Sequence, residues 1–247
     1  MTTEFILMAD LVLMLRLRLL LSDAPVGWRG WLAKGLVELL ALSVFEPHPF
    51  LVGAGLTSVA INVAAGCWDQ RANTRHGGRL VFGLLHLAVM SIWFSGAGGV
   101  RFRAEWANWG QWLGAWSSLG PELLRAASRD GLKLLLGGLL AANEANLFVR
   151  WLLARLQIRP GNAASLTAGI DASEFNRGRV IGLLERSLIY AFVLSGQYGA
   201  IGFTLAAKGF TRFKELENRG FAEYVLIGTL LSSSLAMAAG WWVKASA

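Results

Sequence analysis

Apolar runs of roughly 16 to 22 residues recur along the chain, near the length a helix needs to cross a ~30 Å hydrocarbon core. Short polar stretches separate them. The pattern predicts helical segments over 5–21, 31–45, 50–68, 80–95 and 132–153. The apolar stretch 180–213 is interrupted at Ser195-Gly196-Gln197, so it reads as either two short spans or one long bent helix. A last segment covers 221–242 and ends in Trp241-Trp242, a pair suited to a membrane interface. Pro47-His48-Pro49 stops the second segment, because proline has no backbone donor to continue a helix. The stretch 69–79 reads as a polar, basic loop, and 155–177 as a polar linker with a turn at Pro160-Gly161-Asn162.

The region 96–120 has another pattern. Trp106, Trp109, Trp112 and Trp116 stand three or four apart, which puts four indoles on one helical stripe. Indoles favour the headgroup boundary, so the stripe predicts a helix lying in the interface. Pro121 and Glu122 suit the first turn of the next helix. The expected fold is all-α: a polytopic transmembrane helical bundle of seven or eight membrane segments with an interfacial Trp-rich helix. The chain reads as one membrane domain over 1–247, with N-terminal helices in 1–95, the interfacial segment in 96–131 and C-terminal helices in 132–247.

Composition agrees with a lipid environment. Of 247 residues, 55% are hydrophobic and only 16% charged, against about 25% charged in a typical soluble domain. The net charge of +7 then points to cytoplasmic loops and anionic lipid, not to nucleic acid. With eight crossings, Arg29, Arg71, Arg75, Arg79, Arg155, Arg159, Arg177, Arg179, Lys214 and Arg219 gather on one side. The positive-inside rule makes that side cytoplasmic and places both termini outside. The single cysteine, Cys67, excludes an intrachain disulfide. The first apolar run has no basic region before it and no small-residue cleavage motif after it, so it reads as a retained span.

Several polar groups fall inside apolar segments, where an ionisable side chain normally faces protein or water and has a partner. Lys34 and Glu38 are one turn apart and can neutralise each other. Glu185, with Arg186 beside it, Lys208 and Glu223 form the foremost candidate set, either as ion pairs closing helix packing or as a solute or proton site. Arg179, Glu185 and Arg186 are placed to reach headgroups, while Lys208 either snorkels to the interface or pairs with Glu223. Gln197 and Tyr198 sit at the break between glycines and are candidate cavity-lining groups; a plain turn is the alternative. Asn143, Glu144 and Asn146 either bind a cation or join neighbouring helices. His86 reads first as a packed, hydrogen-bonded histidine, with Asp10 as a partner across helices in the other reading. Arg16 and Arg18 pair with Asp10 or reach the cytoplasmic surface. No catalytic set, metal-ligand spacing or phosphate loop is recognisable, and no cofactor is specified. A faint repeat aligns Gly35-Leu36, Glu38, Phe45, Gly55, Thr57 and Ala60 with Gly182-Leu183, Glu185, Phe192, Gly202, Thr204 and Ala207 without a gap. Both copies would run in the same direction, as parallel repeats do.

The blocks Gly178 to Arg186, Gly196 to Lys208, Arg212-Phe213 and Ala222 to Ser232 resemble a bacterial membrane family known as domain of unknown function 3307. The resemblance implies a multi-pass protein of the bacterial inner membrane and no established activity. That family's N-terminal half carries His-x-x-x-Asp and Asp-Gln-x-x-His patterns. Asp10 and His86 match one residue of each, but Ile6 replaces the first histidine and Phe82-Gly83 the Asp-Gln. Three functions follow as expectations: binding or translocation of a small solute or ion; a non-catalytic subunit docking onto a larger membrane complex; and a membrane-embedded hydrolase with a degenerate His/Asp site. Expected partners are membrane lipid and a protein partner or second copy, with no nucleic acid.

Overall fold

A computed structural model describes residues 1–21, 24–71, 75–105, 127–157, 172–211 and 219–246. The four tryptophans of the interfacial stripe (Trp106, Trp109, Trp112 and Trp116), the Pro121 helix start, the Pro160 turn and Arg212-Phe213 lie outside them. The described residues are helical apart from turns and one isolated bridge between Phe45 and Phe102. The long helices are α1 (Thr3–Arg16), α2 (Trp28–Ala41), α3 (Pro49–Asp69), α4 (Arg75–Trp93), α5 (Arg129–Arg155), α6 (Ala172–Leu194), α7 (Tyr198–Thr211) and α8 (Arg219–Ser246). Three stretches among them are long and apolar enough to cross a membrane: Pro49–Asp69, Arg129–Arg155 and Ala222–Ser246.

Two boundaries differ from the sequence reading. The first segment does not run unbroken to Leu21: α1 ends at Arg16, and Arg18–Leu21 form a separate turn of helix. The expected loop 69–79 is mostly helix, since Asp69 ends α3 and α4 begins at Arg75. The basic residues there obscure the helix start because the pairing of Arg79 with Asp69 across the turn is not visible in the local pattern.

The chain divides into two compact units, one of Met1–Leu17 with Asp23–Leu136, the other of Arg18–Ser22 with Gly137–Ala247. In the first unit, α1 packs on α2 and α4, and α3 packs between α2 and α4. Cross-contacts give the directions. Thr2 Oγ1 donates to the Phe94 carbonyl and Arg16 Nη2 to the Arg79 carbonyl, so α1 runs antiparallel to α4. By that register Asp10 stands at the height of His86. A Cβ on Gly66 would touch Trp31, and one on Gly55 would touch Leu39, so α2 and α3 are also antiparallel.

Each helix buries one stripe at three- and four-residue spacing, as a helix face requires. On α2 the stripe is Trp31, Lys34, Gly35 and Glu38; on α4 it includes Arg79, Gly83, His86 and Met90. The opposite faces are apolar. Leu32, Leu36, Leu40, Val52, Leu56, Val63, Val81, Leu84 and Ile92 are each more than half exposed. Polar groups inside and aliphatic groups outside is the reverse of a water-soluble helix.

The second unit holds α6, α7, α8 and most of α5. Ile189, Tyr190, Val193, Ile201, Ala236 and Val243 form its apolar core. The interruption at 195–197 is a turn between two helices. Gly196 takes φ +73, its N–H reaches the Val193 carbonyl, and the Gln197 N–H reaches the Phe192 carbonyl. This is a Schellman closure, for which a residue without Cβ is preferred at the left-handed position. Lys208 and Glu185, lying on either side of the turn, bond each other at 2.5 Å, so α6 and α7 form an antiparallel hairpin. Within α5, Leu140–Glu144 widen into a π-helical turn.

Candidate functional site

The first unit is layered. At one end Met8, Phe45, Ala54, Met90, Phe94 and Val100 make an apolar floor. At the other end sits an ionic cap. Arg79 Nε donates to Asp69 Oδ1 at 2.7 Å and Arg79 Nη2 to Oδ2 at 3.2 Å. The Val26 N–H adds a bond to Asp69 Oδ2 at 2.7 Å, and Arg79 Nη2 also donates to the Ala24 carbonyl. Arg75 Nε donates to the Asp69 carbonyl. Arg16 closes the cap against Arg79, lying over Gly83, where a side chain would strike the guanidinium. It therefore does not extend to the surface. A guanidinium with carbonyl partners inside protein satisfies donors that hydrocarbon would leave bare.

Between floor and cap lies a polar layer to which α2, α3 and α4 contribute a connected network. Lys34 Nζ bonds both Glu38 and Asn62 Oδ1, and Asn62 Nδ2 donates to Glu38 Oε2 at 2.6 Å. The amide is thus oriented by chemistry, its oxygen toward the cation and its NH₂ toward the carboxylate. His86 Nε2 hydrogen-bonds Ser58 Oγ at 3.1 Å and lies 3.8 Å from Glu38 Oε2. Lys34, Glu38, Ser58, Asn62 and His86 are all buried. At the height of His86, α1 supplies Asp10, 2% exposed, with neither carboxylate oxygen hydrogen-bonded among the described residues. The histidine is packed and hydrogen-bonded, as one reading of the sequence had it, but its partner is Ser58.

The other predicted residues are in the second unit. Glu185 pairs with Lys208 across the hairpin, each about a fifth exposed. Arg186 is buried, donating to the Ala142 carbonyl at 3.2 Å and to Ser232 Oγ at 3.4 Å. It turns inward and not toward headgroups, held by a carbonyl of the π-turn of α5. Asn143 Nδ2 bonds Glu144 Oε1, and both side chains are buried. Gln197 is exposed at the turn, and Tyr198, also exposed, accepts a bond from Trp241 Nε1. The turn closes its own backbone hydrogen bonds. Glu223 is exposed on α8. Among the described residues no group of three or more His, Cys, Asp or Glu is placed to hold a metal ion.

Sequence reasoning passed over Asn62, Ser58 and the Asp69–Arg79 clamp. A signal existed: Ser58 and Asn62 are one turn apart inside an otherwise apolar helix. Comparison with known proteins finds no matching family model, no matching curated protein and no matching solved structure.

Proposed function

We propose that the chain is a multi-pass protein of the bacterial inner membrane, akin to the family it resembles, that binds and translocates a small cation. The binding site is the polar layer of the first unit, and not the hairpin residues that drew attention in the sequence. The observation that carries this reading is the burial of Lys34, Glu38, Asn62, Ser58 and His86 inside helices whose outer faces are aliphatic. Burying such groups costs several kcal/mol unless they are paired, and in membranes they commonly mark ion and proton paths. Asp10 adds a carboxylate at the same height, on a helix facing the network. Under this proposal α1, α2, α4, α6 and α7 also lie within the bilayer beside the three apolar helices, giving eight membrane segments, and the arginine-rich ends face the cytoplasm. Both termini are then outside.

The test is flux in sealed proteoliposomes loaded with a pH-sensitive dye or with sodium- and potassium-sensitive dyes. Wild-type protein is expected to carry at least one of the three cations. Glu38→Gln, which keeps the shape and loses the charge, is expected to abolish that flux. Equal flux in the variant, or none of the three cations moved by folded wild-type protein, overturns the reading.

A further inference from the structure

Outside the polar layer, α2 and α3 enclose a groove of about 1030 Å³ on the surface of the first unit. Trp31, Leu36, Val59 and Val63 line it, Gly35 and Gly66 deepen its floor, and Gln70 stands at one end. On α2 it extends from Trp28 to Leu39 and on α3 from Val59 to Gln70. Eleven residues of helix rise about 17 Å. This is close to one leaflet of a ~30 Å hydrocarbon core and about half of what a spanning helix would present. The length fits an acyl chain better than a partner helix.

The two ends of the groove differ. Because α2 and α3 are antiparallel, Trp28-Arg29 and Trp68 to Arg71 come to the same end. Arg29 stacks on Trp28, its Cζ 5.6 Å from the ring centroid, and Arg71 stacks on Trp68 at 4.7 Å. Both guanidinium groups are exposed, and neither forms an ion pair among the described residues. Arg79, by contrast, is consumed by Asp69 inside the unit. Tryptophan and arginine together mark a headgroup boundary, and surface guanidinium groups there attract anionic lipid. The deeper end, at Leu39 and Val59, carries no charge.

We propose that this groove binds one anionic phospholipid of the membrane, its phosphate held by Arg29 and Arg71 and one acyl chain lying along Gly35 and Gly66. The proposal rests on the membrane reading above and not on cation transport. Asn62 lines the groove while bonding Glu38, so a bound chain touches the residue that organises the polar layer.

Cys67 is exposed, lines the groove and is the only thiol in the chain. Its rate of alkylation by a maleimide therefore reports occupancy in delipidated, detergent-solubilised protein. Phosphatidylglycerol at ten times its dissociation constant is expected to slow the reaction roughly tenfold. Phosphatidylethanolamine of the same chain length is expected to protect far less. Arg29→Ala combined with Arg71→Ala should erase the difference between the two lipids. Val63→Trp, which fills the groove, should weaken protection by either one. Equal protection by both lipids in the wild type overturns the proposal, as does no protection. Protection without lipid in a dimeric preparation also overturns it, in favour of a second copy seated in the groove. Partition of the protein into the aqueous phase on detergent phase separation would instead defeat the membrane reading itself, so the two failures are distinguishable. Unchanged circular dichroism and elution volume confirm that the variants are folded.

Discussion

Asp69 is the residue on which most of the cap converges. Its carboxylate takes bonds from Arg79 and from the Val26 N–H, all inside the unit. Breaking a buried pair by removing one partner costs about 3–5 kcal/mol, because the other charge stays behind. Asp69→Ala is therefore expected to lower the Tm in detergent sharply, while Arg29→Ala, exposed and outside the clamp, leaves it unchanged. Similar losses in both would show that Asp69 is not a structural centre. Gly83→Leu is expected to act like Asp69→Ala, since it displaces Arg16 from the cap. The sequence disclosed only part of this chemistry. Lys34 and Glu38 announce themselves by sharing one helix at a spacing that brings them together. Asp69 and Arg79 lie in a charge-rich stretch that looks like solvated loop, and nothing local tells a paired arginine from a hydrated one. Ser58 and Asn62 are small polar residues with no motif of their own; their meaning comes from α2 and α4, which the linear pattern does not place beside them.

At the scale of elements, the apolar runs predicted the helices well because hydrophobic segment length is a local property. They did not predict where α1 stops or that α5 loosens into a π-turn at Leu140–Glu144, since both depend on what packs alongside. The interruption at 195–197 was legible, and Gly196 explains why it turns. A side chain at its left-handed φ costs about 1–2 kcal/mol. Gly196→Ala is thus expected to lower the Tm, whereas Gly199→Ala, helical and with nothing within 4 Å of a new Cβ, is expected to hold or raise it. The Glu185–Lys208 bond gives a second test of the hairpin. Glu185→Lys and Lys208→Glu are each expected to destabilise, and the double exchange to recover much of the loss, as measured by thermal denaturation. No recovery would argue against the antiparallel pairing of α6 with α7.

Taken as a whole, the two units carry comparable parts in the same order. The aligned stretches 35–60 and 182–207 both fall on helical hairpins, α2–α3 and α6–α7. In each, the aligned glutamate bonds a polar group on the second arm: Glu38 with Asn62, Glu185 with Lys208. The preceding helices share an acid-x-x-Leu-x-x-Arg pattern, Asp10-Leu13-Arg16 in α1 and Glu144-Leu147-Arg150 in α5. The closing helix is where they part, for α4 packs on α3 but α8 packs on α6. The aliphatic exterior of the first unit also leads to an expectation for the complete protein: it should enter the detergent-rich phase on phase separation. The stacking of floor, polar layer and cap has a further consequence. Oil seals one side of Glu38 and clamped guanidinium groups seal the other. Under the cation transport proposed above, this build makes an airlock and not an open pipe. On that proposal traffic should saturate with cargo concentration, as a carrier's does and an open channel's does not.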